Sequence, residues 1–187
     1  MSVPMLVFGA VLLLPFVWFI GTYNTLVRLR QHVRESWSGI DTELKRRYEL
    51  IPNLVETVKG YAAHEREVLE AVARTRQQAV EDTGSPESRA RHESELVAAL
   101  SRMFVVVEDY PELKASRNFL QLQEELVNTE DRIQAARRFY NANVRDLNSR
   151  VEMIPSSFVA AMFSFVKREY FQVESATVRT VPRIDLA

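Results

Sequence analysis

The 187-residue chain contains no cysteine. That absence excludes disulfides, thiolate metal sites and a cysteine nucleophile, and leaves the compartment open. Glycine and proline are scarce, at five and seven residues. So few turn formers favour a small number of long helices over many short strands. Neither sign of charge dominates: 24 Lys and Arg stand against 25 Asp and Glu, for a net charge of -1. With no strong basic excess along the chain, nucleic acid is not expected as a partner.

Familiar catalytic and ligand-binding patterns are missing too. No glycine-rich phosphate loop, G-x-S-x-G elbow or dinucleotide fingerprint occurs. The only histidines are His32, His64 and His92. His64-Glu65 begins like a zinc-protease helix, but Val68 stands where the second ligand belongs. None of the three histidines has Glu three residues before it, the spacing that di-metal helical bundles use. No metal, no cofactor and no catalytic residue is therefore assigned, and the chain is not expected to be an enzyme.

What is present begins with a long apolar run. Val3 to Tyr23 carries no Asp, Glu, Lys or Arg, and about 20 apolar residues are what a helix needs to cross a bilayer. Trp18 and Tyr23 lie towards its end, where amphipathic aromatics favour the membrane interface. Arg28, Arg30, Arg34, Lys45, Arg46 and Arg47 follow it, so the positive-inside rule places the remainder on the cytoplasmic side of a bacterial inner membrane.

Beyond the run, apolar residues recur at spacings of three and four. One stripe runs Val33, Trp37, Ile40, Leu44, Ile51, Leu54, Val58, Tyr61, Val68, Val72, with Arg47 and Glu65 as polar exceptions. A second runs Leu96, Leu100, Met103, Val107, Tyr110, and a third runs from Phe119 through Leu126, Thr129, Ile133, Tyr140 and Leu147 to Ile154. Such stripes are seams of a bundle or coiled coil. Between them, Glu81 to Glu87 reads as a turn: Gly84 for a left-handed or tight position, Ser85 as cap, Pro86 in the first helical turn. The stripe runs through Pro52 without slipping, which permits one long helix. The interior proline penalty of about 3 kcal/mol favours a break there instead.

The expected architecture is therefore all-α: a single N-terminal transmembrane helix followed by an antiparallel four-helix bundle. Its parts are an anchor over 1–23, the bundle over 24–155, a short apolar helix over 156–167 and an extended tail over 168–187. Candidate contacts with a partner or the membrane are the cations Lys45, Arg46 and Arg47, which would attract phosphate or an acidic surface or simply offset a helix dipole. Phe158, Met162, Phe163 and Phe165 are the others, on a segment too short to span but apolar enough to lie in the interface or to cap the bundle.

Several blocks also occur in a specific order. They are Tyr23-Asn24-x-Leu26-Val27, Trp37-Ser38-x-Ile40-Asp41, Leu44-Lys45-Arg46-Arg47, Leu50-Ile51-Pro52-Asn53-Leu54-Val55-Glu56, Tyr110-Pro111-Glu112-Leu113-Lys114-Ala115, Asn118-Phe119-Leu120 and Thr129-Glu130-x-Arg132-Ile133. Together they resemble the LemA family over Tyr23 to Phe171. The resemblance implies an antiparallel four-helix bundle behind a membrane anchor, with the break at Pro52. No enzymatic activity is established for that family. Magnetosome-associated relatives suggest roles in membrane organisation, and some relatives are encoded beside a membrane zinc protease. The chain departs from the family at Phe163-Ser164-Phe165, where members often carry Phe-Gly-Phe, so a glycine hinge is lost. The expected function is a membrane-anchored scaffold or adaptor that binds membrane lipid and self-associates as a homo-oligomer. The alternative is an accessory subunit of another membrane protein, such as a protease.

Overall fold

A computed structural model describes the backbone of residues 3–173 and the side chains of residues 13–173. All its regular structure is helical, with six helices among the described residues: α1 (Val3–Tyr61), α2 (Arg66–Glu81), α3 (Pro86–Val107), α4 (Pro111–Lys114), α5 (Arg117–Glu152) and α6 (Ser156–Met162). The chain divides into two units, and both α1 and α5 contribute to each of them. The first takes α1 up to Ser38 together with Arg138–Arg168. The second takes Gly39–Arg137 and, among the described residues, 169–173.

In the second unit, short reversals at 62–65, 82–85 and 108–116 make each long helix antiparallel to the next. Ile40, Leu44, Ile51, Leu54 and Val58 from α1 are buried, as are Val72 from α2, Leu96, Leu100 and Met103 from α3, and Phe119, Leu126 and Ile133 from α5. These are residues of the three stripes. The phase does not survive the first reversal, however. Tyr61 is 47% exposed, and Ala62 and Leu69 are buried in place of Tyr61 and Val68.

The expected break at Pro52 is corrected: α1 runs unbroken through it and ends only at Tyr61. Proline at 52 removes the N–H that would bond the carbonyl four residues back, that of Tyr48. That carbonyl instead accepts a 2.7 Å hydrogen bond from Nε of Arg76 on α2. A charged donor from the neighbouring helix thus takes the place of the missing backbone donor, and the helix continues.

The reversal between α2 and α3 is organised by Asp82. Its carboxylate accepts hydrogen bonds from Gly84 N at 2.6 Å and Ser88 Oγ at 2.8 Å, and lies 2.7 Å from His92 Nδ1. Ser85 caps α3, accepting from Ser88 N, and Pro86 occupies its first turn. Gly84 is needed for closeness and not for handedness: no glycine among the described residues has positive φ. A Cβ at Gly84 would meet Asp82 Oδ1 at 2.8 Å.

In the first unit, α1 and α5 pair through Trp37 against Tyr140, with ring centroids 5.2 Å apart, and through Asn143 Nδ2 donating to His32 O at 3.4 Å. Past the cis Ile154–Pro155 bond, α6 buries Ser156, Val159 and Ala160. The chain then turns at Ser164, whose φ of 55° lies in the left-handed region. Asn148 holds the returning segment by both backbone groups of one residue. Its amide donates to Arg168 O at 2.9 Å, and its Oδ1 accepts from Arg168 N at 2.8 Å. Part of the expected extended tail is packed: Phe171 in the second unit is fully buried, and Arg137 donates to Val173 O at 3.2 Å. Residues 174–187, read as extended from the sequence, lie outside the described residues.

Candidate functional site

The three adjacent cations do not form one patch. Lys45 is exposed and pairs with Asp41 one turn back at 2.7 Å, and Arg46 is exposed. Arg47 points the other way and is only 2% exposed. Its guanidinium pairs with Glu130 at 2.7 Å and with Glu93, which is equally buried; Tyr48 donates its hydroxyl to the same Glu93 carboxylate. Arg47 as an outward contact is therefore corrected, because its position on the apolar stripe carries it into the interior. Burial, opposed by the charges of Arg47 and Arg89, pushes the Tyr48 hydroxyl above its ordinary value, so at neutral pH it stays a protonated donor.

This cluster joins α1, α3 and α5 within the second unit. The cavity beside it, lined in part by Leu44, Arg137 and Phe171, measures about 10 Å³. That holds about one water-sized sphere and falls far below the few hundred Å³ of a ligand site. Among the described residues no three His, Cys, Asp or Glu come together as a metal site.

A second charged site lies on the surface of the same unit. Burial raises the Asp41 carboxyl, but hydrogen bonds from Lys45 and Arg89 outweigh it and hold the group below its ordinary value. The Asp41–Arg89 pair, at 2.9 Å, ties α1 to α3.

The apolar candidates fall in the first unit, and they separate. Phe158 and Met162 project from α6 at 70% and 67% exposure, with Ile154 at 78% just before them. The helix thus hides its small residues and displays its large apolar ones, the reverse of a helix made only to cap a core. Phe163 is partly exposed and lies 4.6 Å from Tyr23 and 5.9 Å from Phe19, ring to ring. Phe165 is corrected as an outward contact. It is 7% exposed, with the Arg30 guanidinium 4.9 Å over its ring and Tyr23 at 5.9 Å, so it locks the returning segment onto α1.

These aromatic contacts set α6 beside the last turns of the apolar run. There Leu13, Leu14, Phe16, Val17, Trp18 and Ile20 are all exposed, on every side of α1. Among the described residues, no helix is long and apolar enough to cross a membrane. The side chains of residues 3–12, the first half of the expected anchor, lie outside the described residues.

Charge separates between the units in a way the sequence order conceals. Residues up to Ser38 and Arg138–Arg168 hold eight Lys and Arg against three Asp and Glu, a net of +5. With a chain total of -1, the other unit carries -6. A linear reading sees near-neutrality because the basic unit is assembled from two segments about a hundred residues apart.

Comparison with known proteins agrees with the motif resemblance. The chain is 27% identical to the magnetosome protein MamQ 2 of Paramagnetospirillum magneticum, over 87% of this chain and 71% of that protein. Against magnetosome protein MamQ of Magnetospirillum gryphiswaldense it is 24% identical, over 89% and 72%. Protein LemA of Metamycoplasma hominis is 27% identical, over 90% of this chain and 74% of its own length. The description that matches residues 36–186 is that of the LemA family, which takes in every helix from the middle of α1 onward, and the chain belongs to that family.

Proposed function

We propose that the protein is a membrane-anchored helical scaffold without catalytic activity. The apolar segment through residue 23 is its anchor, and the helical units are its working part on the cytoplasmic side. One observation carries this reading: six large apolar side chains between Leu13 and Ile20 are 44–69% exposed around the whole circumference of α1. A helix apolar on all sides is stable in the core of a large protein or in lipid, and among the described residues no core surrounds this stretch. Phe158 and Met162, displayed beside the end of the run, would rest in the interfacial layer, as amphipathic segments do. The kinship with proteins named for the magnetosome supports a part in a larger assembly, and self-association through exposed helix faces is the form we assign to it.

The test is extraction of native membranes with alkaline carbonate. The wild-type chain is expected in the pellet, and a Leu14→Arg/Val17→Arg double variant in the supernatant. Wild-type protein released by carbonate would overturn the anchor. A strictly monomeric chain in detergent at micromolar concentration would overturn self-association.

A further inference from the structure

Within the first unit, α1 and α5 leave two adjoining hollows that share Thr25 and Arg150. The lower, about 280 Å³, is lined by Trp18, Gly21, Thr22, Thr25 and Arg150. The upper, about 420 Å³, is lined by Thr25, Leu29, Asp146, Ser149, Arg150 and Met153. Both are open to solvent, the form suited to a head group lying against the helices and not to an enclosed ligand, and their polar groups, Arg150 and Asp146 exposed among them, are largely unspent. Arg150 makes no ion pair among the described residues. The hydroxyls of Thr22 and Ser149 are in no hydrogen bond there, whereas Thr25 already donates to Gly21 O at 2.8 Å. Asp146 has only a 3.9 Å approach from exposed Arg145.

We infer that this groove is a binding site for the head group of a phosphatidylethanolamine-class lipid. The inference rests on the anchorage reading above, and the order of side chains along the groove carries it. Trp18 lies at its apolar mouth, where amphipathic aromatics meet glycerol and upper acyl chain. Next come Arg150 and the Thr22 hydroxyl, donors suited to a phosphate. One turn further from the apolar run is Asp146, an acceptor for an ammonium group. Acyl chains, phosphate, then ammonium outward is also the sequence of groups in this lipid. A glycerol head group would leave Asp146 facing no cation, and a choline would present methyls where Asp146 needs N–H donors.

The test is native mass spectrometry of the full-length chain, delipidated in detergent. It is mixed with equal amounts of dioleoyl phosphatidylethanolamine, phosphatidylglycerol and phosphatidylcholine. Wild type is expected to retain one phosphatidylethanolamine in preference to the other two. Arg150→Gln should weaken retention about tenfold, the scale of a charged hydrogen bond. Asp146→Asn should keep lipid binding but erase the preference. Gly21→Leu supplies a variant that unfolding cannot imitate. A Cβ there meets nothing within 4 Å and leucine is the better helix former, so the melting temperature should hold or rise while retention falls. Equal retention of all three lipids, preference for phosphatidylglycerol, or an Asp146→Asn variant still selective for phosphatidylethanolamine would each overturn the site. A chain that resists carbonate yet selects no phosphatidylethanolamine removes the groove alone. A chain released by carbonate removes the anchor beneath it.

Discussion

The two units of this protein solve the same packing problem with different materials. The second unit, at net -6, buries aliphatic stripes and encloses an ion cluster of Arg47, Glu93 and Glu130 inside them. The first, at net +5, adds aromatic pairs and a cation over a ring to its buried Leu26, Val144 and Leu147, and leaves Phe16, Trp18, Phe158 and Met162 exposed. The second unit confines its buried charge to one paired cluster and leaves its other charges in water. A unit that displays both apolar area and positive charge has the two properties that favour a lipid surface. The near-zero net charge of the whole chain is thus the sum of two opposite regions.

The ion cluster offers the sharpest way to break that contrast. Arg47→Met leaves the buried Glu93 and the partly buried Glu130 carboxylates without their cation, and should cost about 3–5 kcal/mol in a denaturant titration. The triple change Arg47→Met/Glu93→Leu/Glu130→Met should recover most of that loss, because replacing all the charges removes the desolvation cost with the pairing. A triple variant as unstable as the single one would mean that the cluster holds the helices by more than charge.

Asp82 comes next. Asp82→Asn keeps one acceptor oxygen for Gly84 N but replaces the other, which meets Ser88 Oγ and His92 Nδ1, with a donor, and a loss of about 1–2 kcal/mol is expected. Burial raises the Asp82 carboxyl, but the hydrogen bonds from Gly84, His92 and Ser88 win and hold it below its ordinary value. A lowered carboxylate stabilises the fold fully above the unfolded value and loses that contribution as pH falls through the folded one. The wild type should therefore lose stability faster than Asp82→Asn below about pH 4, seen as converging melting curves.

The support at Pro52 calls for a double-mutant cycle. Arg76→Met should cost about 1–2 kcal/mol in the wild type, where it orphans the Tyr48 carbonyl. In a Pro52→Ala background a backbone N–H is restored, and the cost should fall by more than half. Additive costs would show that Arg76 acts elsewhere. The smallest effect belongs to the first unit. Ser164→Gly relieves a left-handed residue and should stabilise by about 0.5–1 kcal/mol, net of the extra chain entropy of glycine.

Much of the bundle was legible in advance because helical seams are local: a spacing of three and four marks Leu44, Ile51, Leu96 and Ile133 wherever their partners come from. The Ser85-Pro86 helix start was legible for the same reason. Tyr61 and Ile154 were misassigned as seam residues because each stands at a helix end, where spacing no longer says which way a side chain points. Pro52 was misread since its rescue comes from Arg76, 24 residues away and on another helix. Arg47 was visible as an exception on its stripe, but its two carboxylate partners lie on α3 and α5, beyond any local pattern. The basic unit and its groove were hidden for the same reason, with Trp18 and Arg150 brought together only by the antiparallel return of α5.

The Arg76 bond to the Tyr48 carbonyl also bears on the order in which the chain acquires its shape. As the polypeptide leaves the ribosome, the helix ahead of Pro52 carries a carbonyl that only water can answer until residue 76 has emerged and turned back. The second half of α1 and the whole of α2 would therefore mature as one hairpin, neither completing before the other. In a φ-value study, substitutions at Leu54 and Leu69 should report the same degree of structure in the transition state. A proline that would have divided the helix in space instead makes its two neighbours simultaneous in time.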